Sequence, residues 1–192
     1  IRMRKRNFKV NLQQIQNFLM KKTLLGTIIT CGIFFSFNAN AQTIPNNGFE
    51  NWTTVGSYND PNNWSTLNSL TNALSVYTCT KGTPGNPGSS YIKLTSKTVV
   101  TTVVPGVATT GTINTTTFTA EGGFAFTAMP QSLTGNWQYM AYSGDQGFIG
   151  VTLTKWNTGT NSRDTVAWAL YNLPGMVMSW QSFTIPLTWN TL

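Results

Sequence analysis

The sequence after Ala41 predicts an all-β fold, either a sandwich or a barrel, on three observations. Threonine, serine, asparagine and glycine dominate this region and are interleaved with aromatic and β-branched residues. No window carries a sustained helical period. Short alternating runs are separated by turn residues, which is the pattern typical of sandwiches and barrels.

An export signal precedes this region. From Met20 the chain has a positive start at Lys21 and Lys22, an apolar run over 24–37 and a small-residue site at 39–41. A transmembrane helix needs roughly 20 predominantly apolar residues, and this run is shorter and interrupted by polar residues. We therefore expect a helical signal peptide over 20–41, cleaved after Ala41, and an exported or cell-surface protein without a membrane span. Residues 1–19 are interpreted as an upstream extension, or alternatively as a long basic start of the signal.

Removal of residues 1–41 changes the charge of the protein. The chain carries 12 basic and 5 acidic residues, a net charge of +7. Seven basic residues lie at or before Lys22, so the remainder holds five residues of each sign and is neutral. We expect no attraction for nucleic acid or anionic lipid. Cys79 is the only cysteine after Ala41, which excludes an internal disulfide in the mature chain.

Alternation along the chain assigns two faces to each of four predicted strands. The expected core-facing residues are Ile149, Val151 and Leu153 in 148–156; Leu133, Trp137, Tyr139 and Ala141 in 132–142; Val166, Trp168 and Leu170 in 164–171; and Phe183, Ile185 and Leu187. The aromatic residues expected on the opposite faces are Trp156, Tyr171 and Trp180. Turns are predicted at 81–90, 105–106 and 157–159, and strands in the threonine-rich stretch 95–119.

Several motifs follow one another in the order of a known family. They are NGFENW from Asn47, DPNNW from Asp60, GSSYIKLTS from Gly88, GFAFTAMPQSLTGNWQY from Gly123, VTLTKWN, RDTVAWA and WQSFTIPL. In these the chain resembles a carbohydrate metabolism domain family of Bacteroidetes secreted proteins, often joined to a type IX secretion sorting domain. The resemblance implies a jelly-roll-like antiparallel β-sandwich over 42–192, similar to carbohydrate-binding modules and without catalytic residues. It also implies a final strand with paired aspartates. We expect that strand to be missing, and nothing after Leu187 to pair with or cap the strand that runs up to it.

The sequence contains few of the residue types that enzymes use for catalysis. The chain has no histidine, which excludes a Ser-His-Asp triad, histidine metal ligation and activation of Cys79 by an imidazole. A glycosidase needs two carboxylates roughly 5 to 10 Å apart. The candidates are Glu50, Asp60, Glu121, Asp145 and Asp164. None falls in a glycosidase motif, so we expect no catalysis and no cofactor.

Glu50 has two further interpretations. Some carbohydrate-binding jelly rolls begin with a similar Asn-Gly-x-Phe-Glu turn, whose glutamate helps to hold a structural calcium ion through oxygen ligands. The resemblance thus makes Glu50 a candidate calcium ligand. The alternative is a carboxylate that accepts backbone N–H groups at the first strand.

The aromatic residues suggest a ligand. Sugar rings stack their flat C–H faces on indole and phenol rings, while amides and hydroxyls orient them. Trp156, Tyr171 and Trp180 are the candidate contacts, and most other tryptophans are expected in the core. The sequence therefore predicts a secreted, non-catalytic module that binds carbohydrate or assists glycan processing. The alternatives are a structural or adhesive module, whose aromatics meet a neighbouring domain or a cell-surface partner, and a cryptic glycosidase.

Overall fold

Antiparallel strands form nearly all the regular structure of the described chain. The structure is a computed structural model that describes residues 42–117, 119–142 and 144–191, and Gln42–Leu192 forms one compact unit. The predicted extension and signal peptide lie outside the described residues. The strands are β1 (Trp52–Val55), β2 (Tyr58–Pro61), β3 (Ser65–Thr66), β4 (Cys79–Gly82), β5 (Tyr91–Leu94), β6 (Lys97–Val99), β7 (Thr102–Val104), β8 (Ala108–Thr109), β9 (Thr112–Asn114), β10 (Thr119–Glu121), β11 (Ser132–Tyr139), β12 (Phe148–Asn157), β13 (Ser162–Asn172), β14 (Val177–Pro186) and β15 (Thr188–Trp189). The all-β prediction is confirmed.

Short hairpins build the region before β11. The pairs β1–β2, β4–β5, β6–β7 and β9–β10 are antiparallel, and β3 pairs with the more distant β8. Gly56, at φ 61°, stands in the two-residue turn between β1 and β2, where a left-handed conformation matches the twist of the strands. The predicted Pro/Gly-rich turn joins β4 to β5, although its first two residues belong to β4. The threonine-rich stretch forms strands, as predicted.

Two ladders of long strands pack face to face at the C-terminal end. One pairs β11 with β14, and the other has the order β12, β13, β15. The Tyr171 ring on β13 stacks on Phe183 of β14, with centroids 5.9 Å apart, and meets Trp137 of β11 edge-on at 6.0 Å. These aromatic contacts hold the inner faces together and form the centre of a β-sandwich.

The face assignments are confirmed for three of the four predicted strands. In β12 the side chains of Ile149, Val151 and Leu153 are partly buried and alternate with exposed residues. In β11 Trp137 is buried, at 6% exposure, and in β14 Ile185 is buried. Alternation therefore located the core wherever large apolar residues occupied only one face.

The face assignment of β13 is wrong. Ala167 and Ala169 are buried, whereas Trp168 and Leu170 are exposed. Directly paired residues share a face, and the register sets Ala167 opposite Leu153, and Ala169 opposite Val151. The two faces of β13 are the reverse of the prediction because the space between the ladders is limited. The large core side chains come from β12 and from the opposing ladder, so only small alanines fit on the inner face of β13.

The residues after Leu187 form a further short strand, which pairs with β13 and not with β14. Strand β15 pairs with β13, with Trp189 opposite Ala167. The Asn190 side chain donates to the Thr165 carbonyl at 2.8 Å, and its backbone N–H donates to the Val166 carbonyl at 2.9 Å. The final residues thus extend the β12–β13 ladder by a third, short strand.

One helical turn, which no sequence period indicated, follows β3. It comprises α1 (Asn68–Thr71) and a 3-10 turn (Asn72–Leu74). Hydrogen bonds rather than an amphipathic pattern hold it: the Thr66 hydroxyl accepts from the Asn68 N–H at 3.1 Å and donates to Asp60 at 2.7 Å. In the described ranges no helix has the length and apolar character needed to cross a membrane.

Candidate functional site

The Glu50 carboxylate is hydrogen-bonded to the end of the loop that precedes β5. One carboxylate oxygen accepts the backbone N–H groups of Ser89 at 2.8 Å and Ser90 at 3.1 Å. The other accepts both serine hydroxyls, that of Ser90 at 3.1 Å. Hydrogen bonds from the Ser89 hydroxyl, the Ser90 N–H and the other two donors together outweigh the opposing effect of desolvation and lower the pKa of Glu50 to about 2.

Gly88 allows the Glu50 carboxylate to approach this closely. It adopts φ 101°, and a Cβ added there would lie 2.2 Å from the Glu50 carboxylate oxygen. The arrangement matches the alternative in which Glu50 accepts backbone N–H groups near the first strand. Calcium binding by Glu50 remains a prediction, and within the described ranges no three His, Cys, Asp or Glu side chains cluster to hold a metal ion.

The three aromatic residues predicted as ligand contacts do not lie together. Trp156 points outward from β12 and is 50% exposed, as predicted. Tyr171 points inward between the two ladders, so its predicted orientation is wrong for the same reason as the β13 assignment. Trp180 is half-buried and meets the ring of Tyr91 edge-on at 5.2 Å. Packing thus accounts for Tyr171 and Trp180, and only Trp156 presents an open ring face.

Three residues that the sequence analysis placed elsewhere or passed over share the outward face of Trp156. Phe148 is 67% exposed, Trp168 45% and Leu170 51%. In the register Trp168 lies opposite Thr152 and Leu170 opposite Gly150, both on the outward side of β12. We call Phe148, Leu170, Trp168 and Trp156 the outward stripe. The repeated alanines of β13 were the signal that could have revealed it, because they mark the inner face.

Polar residues fill the gaps in the outward stripe. Thr152 and Thr154 alternate with the buried positions of β12, and Thr165 and Arg163 continue the same face of β13 beyond a bulge. Arg163 donates to the Thr154 hydroxyl at 3.4 Å. Lys155 and Asp164, which are paired with each other, lie on the other side of the ladder. The face that carries the outward stripe thus combines exposed aromatic rings with hydroxyl groups and has one cation at its end.

A small cleft of about 250 Å³ lies apart from the outward stripe, beside β2 and β4. Tyr58 and Tyr77 line it with their rings 5.8 Å apart, and the Tyr77 hydroxyl donates to Ser57 at 3.0 Å. Burial, with smaller effects from Asp60 and Tyr77, raises the pKa of Tyr58. The cleft is smaller than the outward stripe and carries one hydrogen bond between lining side chains, from Tyr77 to Ser57, so it is a secondary candidate.

Cys79 is buried, and each described carboxylate accepts at least one hydrogen bond. Burial, and secondarily the charge of Asp60, raises the pKa of Cys79 to about 12, which keeps the thiol protonated. Each described carboxylate also bonds a different local group. The bonded groups are Ser89 and Ser90 for Glu50, Thr66 and Asn68 for Asp60, Asn114 for Glu121, the Gln146 N–H for Asp145 and Asn157 for Asp164.

Comparison of the chain with protein-family models, with curated proteins and with solved structures gives no match. The arguments for function therefore come from the residues and their geometry.

Proposed function

We propose that this protein is a non-catalytic carbohydrate-binding module, exported from the cell, whose ligand lies on the outward stripe. The observation that carries the proposal is the exposure of two indole rings, Trp156 and Trp168, on one face of a rigid ladder, with threonine hydroxyls between them. Aromatic rings offer sugars a stacking surface, and hydroxyl groups exchange hydrogen bonds with the sugar.

The absence of catalysis is part of the proposal. Two carboxylates that cooperate across a glycosidic bond must face one cleft and leave their oxygens free for substrate. The described carboxylates instead lie on different elements, each bonded to its own neighbour, and none belongs to the outward stripe. A cryptic glycosidase would have to bring two of these carboxylates together across one cleft.

Glycan-array binding by the full chain tests the proposal. We expect binding that weakens about tenfold in Trp168→Ala or Trp156→Ala, since loss of one stacking contact of about 1.4 kcal/mol corresponds to that factor. Tyr142→Ala is the matched control, because Tyr142 is 85% exposed and lies outside the outward stripe. If the folded protein binds no glycan on a broad array, glycan binding is refuted. That result would then favour the structural or adhesive alternative, in which the outward stripe meets a neighbouring domain.

A further inference from the structure

We infer that the outward stripe binds an extended, uncharged glycan chain laid along β12 and β13, rather than a single sugar or a chain end. This inference rests on the proposed function and specifies its ligand. It follows from the length of the outward stripe, its twist and the chemical composition of the face that carries it.

The length of the outward stripe follows from the register of the two strands. Trp168 lies opposite Thr152, four residues from Phe148 and four from Trp156. At about 3.3 Å per residue, each gap is about 13 Å and the whole stripe is about 26 Å long. Leu170 lies opposite Gly150, midway along the first gap. A surface of this length spans several sugar rings joined end to end, and a single sugar would contact only one of its aromatic residues.

The shape of the surface also favours a chain. Gly150 has no side chain. The nearest side-chain atom is a methyl carbon of Leu170, which would lie 3.4 Å from a Cβ added at Gly150, an ordinary van der Waals contact. The Leu170 side chain therefore reaches over the Gly150 position and supplies an apolar surface between Phe148 and Trp168. The bulge between Leu153 and Thr154 adds twist to the ladder. A twisted platform fits one flexible chain better than the flat face of a crystalline polymer.

The composition of the outward stripe argues for an uncharged glycan over other extended partners. The polar residues that share this face of β12 and β13 are threonines, with Arg163 opposite Trp156 at one end and Asn172 opposite Phe148 at the other, and none is a carboxylate or a lysine. A membrane surface would call for several cations beside the apolar residues, and an acidic polysaccharide would call for a row of them. Protein interface cores are depleted in small hydroxyl side chains and exclude water from a continuous apolar patch. Here hydroxyls separate the rings, which complements a neutral chain of alternating C–H faces and hydroxyl groups.

The test is binding as a function of chain length. The full protein is titrated with the cello-, manno- and xylo-oligosaccharide series, from the monosaccharide upward, and examined by affinity electrophoresis in the corresponding soluble polymers. We expect affinity to rise with length and to level off once the chain covers the outward stripe. Phe148→Ala and Trp156→Ala, at opposite ends, should each weaken binding of long chains about 3- to 10-fold. Each should leave short chains that stack at the other end unaffected.

Three outcomes are distinguishable. A short saccharide that binds as tightly as the polymer, or end variants that weaken every length equally, overturns the extended-chain inference and leaves glycan binding intact. Binding to none of the series, and to no glycan on an array, overturns the proposed function and the inference with it. Tyr142→Ala serves as the control in all titrations, and an equal loss in that variant would also overturn the assignment to the outward stripe.

Discussion

Removal of the Asn68 side chain should be among the most destabilising single changes in this protein. Asn68 is fully buried, at 0% exposure. Its amide donates to the Cys79 carbonyl at 2.8 Å and to Asp60 at 3.0 Å, and its oxygen accepts the Cys79 N–H at 3.0 Å. Thr95 donates to the Thr78 carbonyl, and hydrogen bonding alternates along an antiparallel pair. The Cys79 backbone groups therefore point away from β5, and Asn68 satisfies them.

The size of the effect follows from these bonds. Asn68→Ala deletes these three hydrogen bonds, of about 1 kcal/mol each, and a longer one to the Asn59 carbonyl at 3.4 Å, and it leaves two backbone groups of Cys79 without partners, at about 1 kcal/mol or more apiece. We expect a loss of about 3–5 kcal/mol, a large share of the 5–15 kcal/mol typical of a domain.

Urea unfolding of the full chain measures this loss as a fall in the midpoint at constant m-value. Asn136→Ala is the matched control, because Asn136 is exposed on β11, and we expect it to change stability by less than about 0.5 kcal/mol. If the free energies of unfolding of Asn68→Ala and Asn136→Ala differ by less than about 0.5 kcal/mol, the buried amide does not link β2, α1 and β4 as the distances imply.

Three further predictions concern single residues. Gly88→Ala should destabilise more than Gly56→Ala, because both glycines have positive φ but only Gly88 would clash with the Glu50 carboxylate; equal urea midpoints would contradict this. The pKa of Glu50 falls from 4.5 to about 2, so its stabilisation is present above pH 4.5 and is lost as pH falls through 2. Wild type should therefore be more stable than Glu50→Gln above pH 4.5, and thermal unfolding should find the difference shrinking between pH 4.5 and 2. Trp137→Ala should cost about 3–5 kcal/mol and Trp156→Ala well under half of that, since only Trp137 is buried; similar costs would place Trp156 in the core.

Local sequence rules succeeded where one residue's chemistry decides its own conformation. Asn157 illustrates this, since its side-chain oxygen accepts the Gly159 N–H at 2.9 Å and closes the predicted turn between β12 and β13. Alternation succeeded in β12 for a related reason: its large apolar residues occupy one face only. Where both faces carried apolar residues, as in β13, bulk alone could not distinguish them.

The candidate site was accordingly predicted only in part. Trp156 was placed correctly, because the alternation set by Ile149, Val151 and Leu153 puts it on the opposite face of β12. Trp168 was assigned to the core, and Tyr171 to the surface, since the inner face of β13 is marked by alanines whose partners lie on another strand. The sequence offered the alternative that Glu50 accepts backbone N–H groups, but it did not indicate which residues donate them. The donors, Ser89 and Ser90, lie 39 and 40 residues away.

By itself the sequence determined the all-β class, the main turns, the neutrality of the chain after Ala41 and the lack of histidine chemistry, because these depend on composition and on neighbours in the chain. Only the tertiary structure decided which side of β13 faces the core, that Asn68 joins three elements, and that Phe148, Leu170, Trp168 and Trp156 share one outward face. The physical reason is that a side chain's environment is set by the strand paired beside it and by the ladder packed above it. Strand register and the space between ladders are properties of residues far apart in the chain.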